Sequence, residues 1–156
     1  MVVAADPWQK RDVVVASAED RFAMVEAAVD GIDGVIASDL EIRRGGPTYS
    51  VDTAEELTAP DRELFLIVGA DVVPNLPTWD RIDVLRKLCR LVVINRAAAE
   101  AALPDDWAAE RVVVPAYDDS STEARRRLAA RMSVDDLLAP AVVQVIEDRG
   151  LYTFPR

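Results

Sequence analysis

Four polar segments of this chain carry residue types that could bind phosphate, ribose or an aromatic base. The first is the stretch that follows Asp6-Pro7, where Lys10 would offer a compact positive charge to a phosphate. A lysine beside a proline is also an ordinary solvated charge on a loop. Lys10 alone therefore leaves both interpretations open.

The second segment is GGPTYS at residues 45–50, which contains Thr48, Tyr49 and Ser50. Glycine allows a backbone to approach a ligand closely, and hydroxyl groups with free amides at a helix start suit an anionic group. A turn followed by a helix cap, with Ser50 as the capping residue, accounts for the same residues more simply. The segment taken alone favours that simpler interpretation.

The third segment follows the apolar run LFLIV at 64–68 and contains Gly69, Asp71 and Trp79. A carboxylate at the carboxyl end of a strand can accept hydrogen bonds from ribose hydroxyls. An indole offers a flat face for stacking against a base or a pyridine ring. A loop aspartate also forms turns, and a tryptophan also fills cores, so the residues remain open to both interpretations.

The fourth segment, DSSTEARRR at 119–127, reads as a helix start rich in hydroxyl groups and followed by basic residues. Exposed amide donors, the positive end of the helix dipole and an arginine fork together favour a polyphosphate. The spacing from Ser120 to Glu123 is equally that of a plain capping box. The candidate ligand contacts in this segment are Ser121, Thr122 and Arg125.

Short apolar runs alternate with amphipathic stretches along most of the chain. The runs at 64–68 and 91–94 predict buried strands, and the run at 112–114 predicts a third short strand. The stretches at 82–88, 120–131 and 140–148 predict helices, the last with Gly150 as its cap. This alternation is typical of βαβ units in a mainly parallel sheet, an α/β fold. Ligands bind beyond the carboxyl ends of such strands, where all four polar segments would meet.

The N-terminal third is predicted from weaker patterns. Residues 1–5 resemble the end of a buried strand, and Ser17 with Asp20 predicts the start of a helix that Gly31 would stop. Alternating apolar residues predict a strand over 35–42. Length and the lack of repeats predict one domain spanning 1–156.

The composition of the chain limits the classes of partner that it could bind. The net charge of −10 disfavours nucleic acid, and no apolar run approaches the ~20 residues of a bilayer span. The single cysteine, Cys89, lies among leucines and predicts a buried structural thiol, which with the lack of a signal peptide favours the cytoplasm. The chain contains no histidine to serve as a base or phosphate contact. No Walker A or Gly-x-Gly-x-x-Gly motif occurs either.

Taken in order, these segments resemble the nicotinate-nucleotide adenylyltransferases of bacteria over nearly the whole chain. The matching stretches are VVAADPWQK at 2–10, SAEDR at 17–21, GPTYSVDT at 46–53, VGAD at 68–71, LPTW at 76–79, SSTxxR at 120–125 and GLY at 150–152. The resemblance implies a Rossmann-like nucleotidyltransferase fold with helices on both faces of the sheet. The Pro-Thr-Tyr and Pro-Thr-Trp stretches favour this branch over the pantetheine-phosphate adenylyltransferases.

The resemblance also implies an activity and residue roles. The family joins nicotinate mononucleotide to ATP, with Mg²⁺ on the phosphates, and releases pyrophosphate. Lys10 would then lie near the phosphates, and Trp79 on the pyridine ring. The other implied contacts are Thr48, Tyr49 and Ser50 on the nicotinate side, Gly69 and Asp71 at the adenosine, and Ser121, Thr122 and Arg125 at the ATP phosphates.

One departure from the family pattern is large. The family begins with a strand and Gly-Gly-x-Phe-Asp-Pro-x-His-x-Gly-His, whose histidines bind the reacting phosphates, and no such stretch occurs here. The resemblance therefore implies that the first, central strand and its helix are missing and that this chain has negligible activity. Two hypotheses follow: an active enzyme whose true start lies upstream of Met1, or a non-catalytic nucleotide-binding relative. A homo-oligomer stays open, because exposed strand edges favour self-association.

Overall fold

The computed structural model describes residues 1–6, 16–96, 103–115 and 120–152. These residues fall into two compact units. One, the sheet unit, is Tyr49–Asp118, and the other, the two-segment unit, combines Met1–Thr48 with Asp119–Arg156. The prediction of a single domain over 1–156 stays a prediction.

The described elements alternate between helices and strands. In chain order they are α1 (Ala18–Val29), α2 (Leu40–Arg44), α3 (Ser50–Leu57), β1 (Leu64–Gly69), a 3₁₀ helix (Val73–Thr78), α4 (Ile82–Leu88), β2 (Cys89–Arg96), β3 (Ala109–Val114), α5 (Ser121–Ala129) and α6 (Pro140–Asp148). The three predicted strands and the three predicted helices of the C-terminal two thirds are all present.

The sheet unit is built on three parallel strands in the order β1-β2-β3. Leu64 of β1 pairs with Cys89 of β2, and Leu91 of β2 pairs with Ala109 of β3. The predicted parallel α/β architecture is therefore confirmed. Because all three strands point the same way, their carboxyl ends lie along one edge of the sheet.

The core of the sheet unit lies on the face that carries α3 and α4. Its most buried side chains are Val51, Leu76, Leu85, Leu91 and Val93. In β1, Leu66 packs towards this core, whereas Phe65 and Ile67 point the other way and stay 47% and 62% exposed. The apolar run of β1 is thus covered mainly on one face.

Trp107 closes the same core from the segment before β3. It is 5% exposed, and its indole N–H donates to the Cys89 carbonyl at 2.8 Å. Cys89 is buried as predicted, and its thiol donates to the Leu85 carbonyl at 3.3 Å. It follows the last residue of α4 and begins β2.

In the two-segment unit, helix ends follow the predicted capping chemistry. The Ser17 hydroxyl accepts from the Asp20 amide at the start of α1, and the Ser120 hydroxyl accepts from the Glu123 amide at the start of α5. After α6, Gly150 takes a left-handed φ of 60°. Its role as a helix stop is confirmed by the 2.9 Å bond from the Leu151 amide back to the Ile146 carbonyl.

The predicted strand over 35–42 is wrong. Ser38 forms an isolated parallel bridge with Val2, and the chain then turns into α2 at Leu40. Ile36, which lies within the predicted strand, is 74% exposed. Residues 1–5 likewise contribute a single bridge residue rather than a full strand, although Val3 is buried.

Among the residues that the structure describes, none of the helices combines the length and apolar character needed to cross a bilayer. The longest, α1, has 12 residues.

Candidate functional site

The loop that leaves β1 carries three of the predicted ligand contacts. Gly69 is the last residue of β1, and the Ala70 amide still bonds to the Ile94 carbonyl of β2 at 3.0 Å. The chain then enters the 3₁₀ helix, which ends at Trp79. Gly69, Asp71 and Trp79 therefore belong to one loop at the carboxyl edge of the parallel sheet, which is where such folds bind ligands.

Gly69 and Asp71 are in close contact. A β-carbon built on Gly69 would overlap the Oδ1 atom of Asp71, so the carboxylate lies in space that only glycine leaves free. Asp71 itself is exposed. A glycine at the strand end thus lets an exposed carboxylate fold back against the edge of the sheet.

Trp79 is held in the fold at the end of the 3₁₀ helix. Its amide donates to the Leu76 carbonyl at 3.0 Å, which fixes the backbone where the 3₁₀ helix ends. Its side chain packs against the core of the sheet unit but is only partly buried. Part of the indole surface is therefore packed and part remains accessible, and an accessible indole surface can stack on a planar ligand.

Tyr49 and Ser50 lie at the start of α3. Tyr49 is the N-cap residue, with an extended backbone and 37% exposure, and Ser50 is the first helical residue. The predicted cap at Ser50 is thus wrong by one position, and no side chain caps this end. Amide donors and the positive end of the helix dipole face outward at such a terminus.

Arg81 is a residue of this region that sequence reasoning missed. It lies two positions after Trp79, at the N-cap of α4, in a left-handed conformation. Its guanidinium bonds to Glu55 at 2.9 Å and pairs with Asp52, both on α3. These carboxylates, with Asp80, raise the pKa of Arg81, the Glu55 hydrogen bond contributing most.

In the two-segment unit, three predicted phosphate contacts open α5. Ser121 and Thr122 are exposed at its first turn, and Arg125 is half-buried one turn further along. The Arg125 guanidinium reaches the Thr122 hydroxyl at 3.5 Å. The structure therefore brings a hydroxyl, a guanidinium and a helix N-terminus together, the combination that suits a polyphosphate.

Tyr152 lies near this terminus and was matched in the sequence without a role. Burial raises the pKa of its phenol, while the positive charges of Arg125 and Arg21 act in the opposite direction. Its backbone φ of 59° is left-handed, which is unusual for an aromatic residue. The only sequence indication was its position after Gly150, which gives no information on the arginines around it.

Thr48 is the last residue of the first segment of its unit, and it follows Pro47, which forms a parallel bridge with Asp6. Asp6 is where the described part of the N-terminal segment ends, so Lys10 lies outside the described residues. Arg21 holds this segment by donating to the Ala4 and Ala5 carbonyls at 2.7 and 3.1 Å.

A cavity of about 520 Å³ opens in the two-segment unit, lined by Val2, Val3, α1 and residues 137–142. Its walls are mostly apolar, apart from Arg21, and none of the predicted site residues contributes to it. The described residues contain no group of three or more acidic or cysteine side chains arranged to hold a metal ion.

Comparison with known proteins shows the family to which this chain belongs. The cytidylyltransferase-like family model matches residues 1–127. A "Probable nicotinate-nucleotide adenylyltransferase" of Saccharopolyspora erythraea is 38% identical over 97% of this chain and 73% of that protein. A relative of the same name from Gemmatimonas aurantiaca is 39% identical over 90% of this chain and 72% of its own length.

Solved structures show the same fold. The Plasmodium falciparum nicotinic acid mononucleotide adenylyltransferase complexed with NaAD has a TM-score of 0.65 at 20% identity, over 91% of this chain and 77% of that one. The same enzyme complexed with APC gives a TM-score of 0.63 at 19% identity, over 88% and 76% of the two chains. The Rossmann-like nucleotidyltransferase fold expected from the sequence is confirmed.

The parallel sheet, together with the match to the family model and to these structures, is that of a nucleotidyltransferase fold. The chain belongs to the cytidylyltransferase-like family and, within it, to the nicotinate-nucleotide adenylyltransferases.

Proposed function

We propose that this chain binds nicotinate mononucleotide and ATP for adenylyl transfer in NAD biosynthesis, in the cytoplasm. The observation that carries the proposal is the loop at the carboxyl edge of the sheet, in which Asp71 lies against Gly69 and Trp79 keeps one accessible side. Relatives named for this activity, at 38% and 39% identity, support it.

The residue roles follow the chemistry of each side chain. Trp79 stacks on the pyridine ring, with Thr48, Tyr49 and Ser50 on the same nicotinate side, while Lys10 serves the phosphates. Asp71 accepts hydrogen bonds from the adenosine ribose, beside Gly69. The ATP phosphates are assigned to the start of α5, where the contacts are Ser121, Thr122 and Arg125.

In the reaction proposed for the family, a phosphate oxygen of nicotinate mononucleotide attacks the α-phosphorus of ATP. One P–O bond forms, the bond to pyrophosphate breaks, and the electron pair leaves with pyrophosphate. Because the attacking phosphate is already anionic, the protein's contribution is to place the two substrates and to stabilise developing charge. Half-buried Arg125 beside Thr122 is suited to the second task.

Magnesium enters this proposal with the nucleotide. Mg²⁺ keeps several waters and binds through substrate phosphates with one or two carboxylates at most. A chain whose described acidic residues form no three-residue ligand group fits an ion that takes most of its oxygen ligands from ATP. No residue of this chain is assigned as a metal ligand.

Calorimetric titration of the purified chain with nicotinate mononucleotide and with Mg·ATP tests the proposal. Trp79→Ala should weaken nicotinate mononucleotide about tenfold and leave ATP nearly unchanged, because only the stacking surface is removed. Arg125→Ala should weaken ATP about tenfold, since a charge-assisted contact is lost. Arg131→Ala is the matched control, since Arg131 is exposed and forms no ion pair with a described residue. Wild-type protein that binds neither ligand would rule the proposal out.

A non-catalytic nucleotide-binding relative is the second candidate, since the 156 residues contain no histidine to contact the reacting phosphates. Each lost transition-state contact of this kind costs about 10²–10³-fold in rate. We therefore expect the 156-residue polypeptide to bind its ligands without measurable pyrophosphate release. Robust release of pyrophosphate in a coupled assay would overturn that expectation and favour an active enzyme.

A further inference from the structure

Arg81 occupies a backbone conformation that an arginine rarely adopts. Its φ of 43° and ψ of 42° lie in the left-handed region, where the β-carbon of an L-residue is crowded. Glycine would adopt these angles without strain. A strained non-glycine residue is retained when its side chain makes contacts that offset the strain.

The side chain of Arg81 makes such contacts in three directions. Its Nη1 donates to both Glu55 oxygens, at 2.9 and 3.1 Å, and its Nη2 pairs with Asp52. Its Nε reaches the Asp80 carboxylate at 3.3 Å. Asp52 and Glu55 are three positions apart on α3, so they present both carboxylates on one side of that helix to a single guanidinium.

These contacts join the two parts of the sheet unit that carry the nicotinate-side residues. Trp79 precedes Arg81 by two positions, on the segment that connects the 3₁₀ helix to α4. Ser50 begins the helix whose first two turns hold Asp52 and Glu55. The guanidinium of Arg81 therefore connects the segment that carries Trp79 to the first two turns of α3.

We propose that Arg81 is a positioning residue for the pyridine-ring subsite. It acts through the carboxylates of Asp52 and Glu55 and does not itself contact the ligand. The inference rests on the proposed function, since it assumes that Trp79 and the Tyr49–Ser50 terminus bind the nicotinate group.

Arg81→Gly is the most informative variant, because it removes the guanidinium and relieves the backbone strain at once. Its thermal stability should stay close to that of the wild type, while its affinity for nicotinate mononucleotide should fall about tenfold, because small misplacements of binding groups are costly. Its affinity for Mg·ATP should change by less than about twofold. A purely structural role would move both affinities and the melting temperature together.

Arg131→Gly is the matched control, because among the described residues Arg131 is the other arginine in a left-handed conformation, with a φ of 55°. It lies in the two-segment unit, and its side chain has no ion-pair partner in the described part of the chain. Relief of strain there should leave both affinities unchanged. Arg81→Lys, which keeps the charge but loses the fork, should fall between the wild type and Arg81→Gly.

The double variant Asp52→Asn/Glu55→Gln removes the same bridge from the other side. If Arg81 acts by positioning, this variant should lose affinity for nicotinate mononucleotide to the same extent, and adding Arg81→Gly should cost nothing further. Unchanged or tighter binding by the double variant would mean that Arg81 acts through its charge alone. That result would overturn the positioning role.

A ligand-free measurement separates failure of this inference from failure of the proposed function. The Trp79 amide, bonded to the Leu76 carbonyl at 3.0 Å, should exchange with solvent faster in Arg81→Gly than in Arg131→Gly. If the two variants show this difference but the wild-type protein does not bind nicotinate mononucleotide, only the ligand assignment is refuted. Equal exchange in the two variants would refute the positioning of Trp79, whatever the ligand.

Discussion

The carboxylate of Asp71 lies in the space that a β-carbon on Gly69 would occupy. The backbone of Gly69 is that of a strand end and takes no positive φ, so the requirement for glycine here comes from the neighbouring side chain. The orientation of the Asp71 carboxylate, the candidate ribose contact, thus depends on the lack of a side chain at Gly69.

Gly69→Ala should therefore affect binding more than folding. The new methyl group would meet the end of an exposed side chain, which can rotate away, so the free energy of unfolding should change by less than about 1 kcal/mol. The displaced Asp71 should bind ATP several-fold more weakly. Chemical denaturation and ATP titration of the same preparation measure the two effects.

The Asp71→Ala background provides the control for this prediction. There the carboxylate is absent, so adding Gly69→Ala should change neither stability nor ATP affinity further. A full additional loss of ATP affinity in the double variant would mean that Gly69 contacts the nucleotide directly. The role assigned to the Gly69–Asp71 contact would then be wrong.

The two described tryptophans of the sheet unit should separate stability from binding. Trp107 is 5% exposed and donates to the Cys89 carbonyl, so Trp107→Phe should cost about 2 kcal/mol through a lost bond and imperfect packing. Trp79 is only partly buried, and Trp79→Phe should cost about 1 kcal/mol or less. Urea denaturation compares the two variants directly.

Nicotinate mononucleotide binding should rank the same variants in the opposite order. Trp79→Phe reduces the stacking surface at the proposed subsite, whereas Trp107 packs in the core on the helix-covered face of the sheet. A Trp107→Phe protein that melts early but binds normally at low temperature is the expected result. Equal losses of affinity in the two variants would contradict the assignment of Trp79 to the pyridine ring.

Strands β1 and β2 were predictable because their apolar residues are confined to short runs of the sequence. The runs at 64–68 and 91–94 became β1 (Leu64–Gly69) and β2 (Cys89–Arg96), extended by one to two residues at their ends. Helix α6 begins at Pro140 and ends at Asp148, as predicted, because proline and glycine mark its two ends. Local chemistry is sufficient where one residue fixes a boundary.

The strand predicted over 35–42 failed because alternation over so few residues does not distinguish a strand from a short helix. Asp39 and Arg43 are spaced by one helical turn and form an ion pair at 3.0 Å. Gly45, with a φ of 70°, ends the helix. The sequence therefore did contain signals for α2. They were the spacing of two opposite charges and a glycine after the helix, not the spacing of apolar residues.

The role of Arg81 could not be predicted from the sequence. Its partners Asp52 and Glu55 lie 29 and 26 positions away, so no local spacing reveals the bridge. The residue type does not indicate the left-handed backbone either, because arginine does not favour that conformation. The relation exists only once α3 and α4 pack side by side.

The ion pairs at the start of α5 predict how stability responds to acid. Hydrogen bonds from Arg126, at 2.7 Å, and from Arg127, at 2.8 Å, lower the pKa of Glu123 from 4.5 to about 2. A carboxyl group whose pKa is lowered by folding stabilises the native state fully above its unfolded pKa. That stabilisation is lost as the pH falls through the folded pKa.

Glu123→Gln should therefore lower the melting temperature at pH 7. The difference from the wild type should shrink as the pH falls from 4.5 to about 2, where the wild-type carboxylate also becomes neutral. Because these side chains are accessible to solvent, added salt should shrink the difference as well. Glu147→Gln is the matched control, since Glu147 is exposed on α6 in the same unit and forms no ion pair with a described residue. If the melting temperature of Glu123→Gln stays below that of the wild type by the same amount from pH 7 to about 2, Glu123 stabilises α5 by means other than its charge.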